Sequence, residues 1–316
     1  ISKGKKLTDS DKEQLSGLYN VGKTVNGKLK DMMFELDEDY FTSSLNNKNE
    51  NYQGINDSFN ELQNETIEYP TLIYDGPFSD SQENKPAQGL GENEIDRAQA
   101  AEKLAEILSD FDITDITSSG DTDGKIYTYN FTADCRGNNV FLQVSKLGGY
   151  TLLMDINRTV DELIINEDEA ITGAQEMLEV MGYENMQSVW VSVYSNIYYI
   201  NFTTVTDDGI VIYPEMIKVK IAGDDGQVLG IEAMSYAYNR KDRNIDEAKI
   251  SQDEARQIIS AGVNVNNGRL TVIPKNNGQE VLCYEFECDY DDMYYLIYIN
   301  AETAEEENIL RVIDSD

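Results

Sequence analysis

The side chains able to do chemistry in this sequence are overwhelmingly carboxylates: 59 Asp and Glu stand against 25 Lys and Arg, with three Cys and no His in 316 residues. Lack of an imidazole removes Ser-His-Asp and Cys-His nucleophile pairs, the HExxH zinc site and histidine acid–base catalysis. Carboxylate chemistry, a Ser-Lys or Tyr-based site, a calcium site or no chemistry remain. A glycosidase needs two carboxylates about 5 to 10 Å apart, and so many acids supply pairs without singling one out. Ser2 and Lys5 match a Ser-x-x-Lys motif in letters only. Asp121-Thr122-Asp123-Gly124, Asp207-Asp208-Gly209 and Asp224-Asp225-Gly226 resemble the start of calcium loops. None continues to the Glu that closes an EF-hand, and Asp-Gly is also a standard hairpin turn, which is the reading taken here.

The spacing of Cys135, Cys283 and Cys288 matches no zinc or redox motif. Cys283 and Cys288 lie five apart in a strand-like run, so they face opposite sides of a sheet and are expected to be packing residues, unbridged. Trp190 and the pairs Tyr198-Tyr199 and Tyr294-Tyr295 could stack on sugars. In strands, though, one tyrosine of each pair is expected to pack inward. The expectation is a protein without catalytic, cofactor or metal residues.

A formal charge of −34 repels nucleic acid and anionic lipid. With 40% hydrophobic residues and 20 Tyr, the chain is nonetheless built to fold. No stretch reaches the roughly 18 to 20 apolar residues of a membrane span. The chain starts at Ile1 and stops at Asp316 just after an apolar strand, and it reads as an excised piece in which an anchor or signal upstream would be invisible.

The elements that must position these groups follow from periodicity. Apolar residues at intervals of three and four predict a helix over 10–36 (Leu18, Val21, Val25, Leu29, Met32, Leu36) and another from Tyr52 to Leu62. Prolines and glycines mark 69–92 as a connector rather than a regular element. Within it, Tyr69, Pro70, Tyr74, Pro77 and Phe78 form an apolar cluster suited either to docking the flanking regions or to meeting a partner. Beyond it a unit recurs three times, opening on Asp96-x-x-Gln99-Ala100, Asn166-x-x-Glu169-Ala170 and Ser251-x-x-Glu254-Ala255. Each is a reciprocal helix cap, followed by short runs rich in β-branched and aromatic residues separated by turns. The fold class is α+β: a helical remnant (1–68), the connector (69–92), and three separate helix-on-antiparallel-sheet repeats at 93–158, 164–240 and 249–316.

These repeats resemble the PepSY module. The second, IKVKIAGDDGQVLGIEA from Ile217 to Ala233, is nearest to its pattern, and the third has Ala304 where the family usually carries Gly. The order of parts, with NVGKTVNGKLKDMMFELDED (20–39) and YPTLIYDGPFSD (69–80) ahead of three such units, resembles the YpeB spore germination family over essentially the whole chain. The resemblance implies a noncatalytic extracytoplasmic protein at the outer face of the spore inner membrane, held by an N-terminal anchor absent here. It implies a partner, the cortex-lytic enzyme SleB, which the PepSY part stabilises and restrains, and cleavage of the protein during germination. A second copy of the chain is a further candidate partner. The rival reading is a sensor of peptidoglycan or calcium, or a carboxylate-based wall hydrolase.

Overall fold

The structure is a computed structural model; the residues it describes are 71–73, 77–78, 86–275, 279–291 and 293–312, within the second of two units, Pro70–Asp316. The helices expected over 10–36 and 52–62 lie outside the described residues.

The three caps form as their spacing dictates. Helices α1 (Arg97–Leu108) and α2 (Glu167–Val180), and, after a short α3 (Met234–Asn239), helix α4 (Gln252–Ile258), are capped by Asp96, Asn166 and Ser251. Each cap side chain accepts from the backbone N–H of Gln99, Glu169 or Glu254, whose own side chain reaches back to the cap N–H. The alanine that follows, Ala100, Ala170 or Ala255, is fully buried.

The isoleucine before each cap fixes the helix to its sheet. Ile95, Ile165 and Ile250 donate N–H to the carbonyls of Lys146 (2.9 Å), Gly223 (2.9 Å) and Ala301 (3.2 Å). Their own carbonyls accept from the phenols of Tyr129 (3.0 Å), Tyr198 (2.8 Å) and Tyr284 (2.9 Å). Tyr198→Phe is expected to lower stability by about 1 kcal/mol, the net worth of one such bond, read as a lower denaturant midpoint at unchanged slope.

Thirteen strands follow the runs of β-branched and aromatic residues: β1 (Thr71–Ile73), β2 (Ile113–Asp123), β3 (Tyr127–Cys135), β4 (Asn138–Ser145), β5 (Thr151–Ile156), β6 (Met186–Tyr194), β7 (Ile197–Val205), β8 (Val211–Ala222), β9 (Val228–Glu232), β10 (Asn264–Pro274), β11 (Glu280–Tyr290), β12 (Met293–Asn300) and β13 (Glu306–Val312). The same turn ends the third strand after each helix. Ser145, Ala222 and Asn300 donate N–H to the carbonyls of Tyr150 (2.9 Å), Gln227 (2.8 Å) and Glu305 (2.8 Å). The residue before each acceptor is left-handed: Gly149 (φ 63°), Gly226 (φ 75°) and Ala304 (φ 63°). A side chain in that region costs about 1–2 kcal/mol, against about 0.5–1 kcal/mol for the chain entropy of glycine. Ala304→Gly is therefore expected to stabilise by about 0.5–1 kcal/mol, visible as a raised melting temperature.

Three expectations are corrected. The strands do not form three separate sheets: they make one hydrogen-bonded sheet in the order β1-β13-β12-β11-β10-β8-β9-β5-β4-β3-β2, with β7 and then β6 on the other side of β8. The cause is unequal strand length. The five residues of β9 cover only part of the twelve-residue β8, and β10 pairs in parallel with its uncovered start, Val211 and Ile212. The far edge of β9 meets β5 antiparallel through Leu153 to Asp155. Second, the connector contains regular structure, since β1 lies parallel to Leu310–Val312 of β13. Third, Asp121-Thr122-Asp123, read as part of a hairpin turn, belongs to a strand: the polar run ITDITSSGDTD is β2, paired along β3 with two register shifts. Tertiary pairing overrides weak strand propensity there.

Alternation places the cores. Phe131, Leu142, Ile200, Phe202 and Ile231 of the sheet bury against Leu104 and Leu108 of α1 and Met177 of α2, and Tyr284, Phe286, Cys288 and Ile297 lie beneath α4. Tyr213, Met216, Ile273, Cys283, Tyr298 and Leu310 form a further core that includes the opposite face of β11. Cys283 and Cys288 thus face opposite sides, and all three cysteines are buried and unbridged.

Candidate functional site

The start of β8 carries two residues that look out of place in an apolar strand, Tyr213 and Glu215, both fully buried. Tyr213 donates to Glu285 of β11 (2.6 Å) and accepts from Arg269 of β10 (2.9 Å), which also donates to Glu285 (2.7 Å). Burial first, then the Glu285 carboxylate, pushes the Tyr213 phenol well above its ordinary value. The rings of Tyr213 and Tyr298 then meet Phe78 at 5.2 Å each. Of the five connector residues singled out from sequence, Phe78 therefore packs on this cluster and Pro77 is buried. Tyr69, Pro70 and Tyr74 lie outside the described residues.

Glu215 is bound by Arg243 and approached by Arg240 at 3.7 Å. Arg243 also holds Glu280 through two bonds of 2.9 Å, and Lys241 adds a contact to Glu280 at 3.1 Å. Burial alone would raise the Glu280 carboxyl, but Arg243 and Lys241 together hold it below the ordinary range. One basic segment, 240–243, so neutralises carboxylates from β8 and β11. Sequence reasoning missed this arrangement, although an isolated Glu within VIYPEMIKVKI and another within EVLCYEFEC were a usable signal, because a charge inside an apolar strand must find a partner.

The seam at β5 and β9 has its own ion pairs. Arg158 binds Asp224 and also Asp225 (3.0 Å), Arg136 reaches Asp225 (3.1 Å) and Asp112 (2.6 Å), and Lys220 meets Asp155 (3.1 Å). The Asp224-Asp225-Gly226 turn therefore spends its carboxylates on arginines. Among the described residues no cluster of three or more Asp, Glu, His or Cys side chains could hold a metal ion. Asp121, from the first Asp-Gly run, lies within β2 as a partner of Arg97 (2.7 Å) and of the Tyr127 hydroxyl (2.7 Å).

On the sheet face opposite α2 a cavity of about 560 Å³ opens over Ser192, Tyr194, Tyr199, Lys220, Gly230 and Glu232. Tyr198 is buried while its neighbour Tyr199 lines this cavity; Tyr294 and Tyr295 are each half-buried, against different cores. Burial pushes the Cys283 and Cys288 thiols up to about 12 and about 11. No helix of the described residues is long and apolar enough to cross a membrane.

Two family models match the chain. Residues 55–246 fit the one described as YpeB sporulation, PepSY1 and PepSY2 domains, and residues 249–310 fit the peptidase propeptide and YPEB domain. Sporulation protein YpeB of Halalkalibacterium halodurans is 30% identical over 98% of this chain and 71% of its own length. That of Oceanobacillus iheyensis is 28% identical over 95% of this chain and 69% of its own. The solved C-terminal domain of Bacillus megaterium YpeB superposes with a TM-score of 0.62 at 27% identity, covering 71% of this chain and all of that one. Matched by family model over 55–246 and by fold to the solved C-terminal domain, the chain belongs to the YpeB family of sporulation proteins.

Proposed function

We propose that the protein is a noncatalytic scaffold of the bacterial spore. Each cap, helix and sheet recurrence is one PepSY-like module, and the three together bind, stabilise and restrain the cortex-lytic enzyme SleB on the cortex-facing side of the inner membrane. The observation that carries the reading is the joining of three recurrences into one sheet within a chain matched throughout to a sporulation family. Such a sheet gives an enzyme a broad surface of fixed shape. The strongly perturbed thiols and phenols of the described residues are buried and stay protonated at neutral pH, which suits holding a partner rather than turning over a substrate. The test is cortex hydrolysis by purified SleB with increasing amounts of this chain, alongside calorimetric titration. Binding with a falling rate is the expected result; no heat of binding and an unchanged rate would reject the proposal.

A second reading has one observation in its favour. The cavity over Tyr194, Tyr199 and Lys220 combines aromatic rings with hydrogen-bonding side chains, as a saccharide site does. Calorimetry with cortex muropeptides, compared between the chain and its Tyr199→Ala variant, separates this sensor role from the scaffold.

A further inference from the structure

The first strand after each long cap helix, and after α4, has a different fate in each recurrence. β10 is sealed, with β11 on one side and β8 on the other. β2 is an open edge, but it carries Asp115, Asp121 and Asp123, is mostly exposed, and is broken by two register shifts. Charges and bulges of this kind discourage pairing with another strand. At the far end of the sheet, β1 covers β13. β6 differs from all of these. Among the described residues its only strand neighbour is β7, it spans nine residues, and MQSVWVSVY contains neither a charge nor a proline.

Two further features gather on that edge. Tyr194 is 67% exposed. Trp190 has a buried indole N–H with no acceptor, although buried donors are almost always paired. The bulge of β6 falls between Ser188 and Trp190, so Trp190 to Tyr194 pair with Asn201 to Ile197 in unbroken register.

We propose that β6 is a self-association edge at which a second copy of this chain adds antiparallel to Trp190–Tyr194, with the twofold axis at Ser192. That register puts Ser192 opposite Ser192 of the second copy. Val191 lies opposite Val193 of the second copy, and Trp190 opposite its Tyr194, each of the last two pairs occurring twice. Bulge-free alternation keeps Trp190, Ser192 and Tyr194 on one face and both valines on the other. Cross-strand aromatic and β-branched pairs are the ones that stabilise an antiparallel ladder. Such pairing covers Tyr194.

Two copies of a −34 chain repel over most of their surface, and an uncharged edge is where they approach at least cost. An antiparallel pair formed by a strand with its own copy also closes as a twofold dimer without further growth. The contact is smaller than the 20 to 30 residues per side of a standard interface, so the dissociation constant is expected on the order of 10 to 100 µM.

The test is sedimentation equilibrium of the chain from about 0.05 to about 0.5 M salt. Screening removes the repulsion but not the ladder, so dimer should increase with salt, accompanied by a concentration-dependent shift in the emission of the only tryptophan in the sequence. Ser192→Lys sets two like charges against each other at the axis and should abolish the dimer, whereas Thr117→Lys on β2 should leave it intact. Ser192→Cys should cross-link to its copy under mild oxidation, since antiparallel partners lie about 4.5 to 5.5 Å apart at Cα, within disulfide range. The native cysteines are buried and should not cross-link. A monomer at all salts, or a dimer that survives Ser192→Lys and does not cross-link through position 192, would overturn the proposal.

Discussion

Between about pH 10 and about pH 12 the protein is expected to unfold in one steep step. Burial raises the Tyr183, Tyr213 and Tyr298 phenols well above their ordinary 10.0, and Glu285 adds to this at Tyr213 and Tyr298. Burial also raises the Cys283 thiol from 9.0 to about 12. A raised value in the folded state means full stabilisation below the unfolded value and loss as pH climbs toward the folded one. Each group still protonated in the fold but ionised in the unfolded chain costs about 1.4 kcal/mol per pH unit. Four such groups remove about 5 kcal/mol per unit above pH 10, against a typical total stability of about 5–15 kcal/mol. Circular dichroism and phenolate absorbance followed together check this. Part of the phenolate signal should appear in the same step as loss of sheet; buried tyrosines titrating gradually while the sheet persists would contradict it.

Arg243→Met is expected to lower stability by about 3 kcal/mol. Removing one member of a buried ion pair costs about 3–5 kcal/mol because its partner stays behind as an unpaired charge. Glu215 would keep Arg240 at 3.7 Å and the backbone N–H of Lys241 at 3.3 Å, and Glu280 would keep Lys241 at 3.1 Å, which places the cost at the low end of the range. The pH dependence gives a second check. Glu280 is held below the ordinary carboxylate range in the fold, after Arg243 and Lys241 overcome the effect of burial. It therefore stabilises above its unfolded value, and that contribution disappears as pH falls through the depressed one. The deficit of the variant should accordingly shrink below about pH 4. Equal melting temperatures at neutral pH would show that the pair is dispensable.

Much of the fold was legible where a local rule decides it. The caps at Asp96, Asn166 and Ser251 obey one reciprocal pattern, and runs such as IYYINFTTV carry strand propensity without help. The five-residue spacing of Cys283 and Cys288 was enough to separate them across the sheet. What long-range contact decides was hidden. β2 reads as turn chemistry until β3 lies beside it. The joining of the sheets depends on β8 outrunning β9, a comparison of strand ends and not of composition. The buried charge clusters were visible only as oddities, Glu215 and Glu285 in apolar runs, and their arginines come from β10 and from the segment after α3. The acidic run at Asp224 is the hairpin turn that its Asp-Gly pair suggests, joining β8 to β9, but the sequence does not reveal that Arg136 and Arg158 fold onto it.

The parallel pairing of β1 with β13 has a mechanical meaning. Thr71, Leu72 and Ile73 lie beside Leu310, Arg311 and Val312 and run in the same direction. A pull applied before β1 and an opposing pull applied after β13 would draw these neighbours past each other along their length. The hydrogen bonds of the ladder would then be loaded in shear and share the force, instead of opening one by one as in an unzipped hairpin. The first and last strands of the described sheet thus form a latch that resists tension between the two sides of the chain, and the rest of the sheet would bear load only after that latch has slipped.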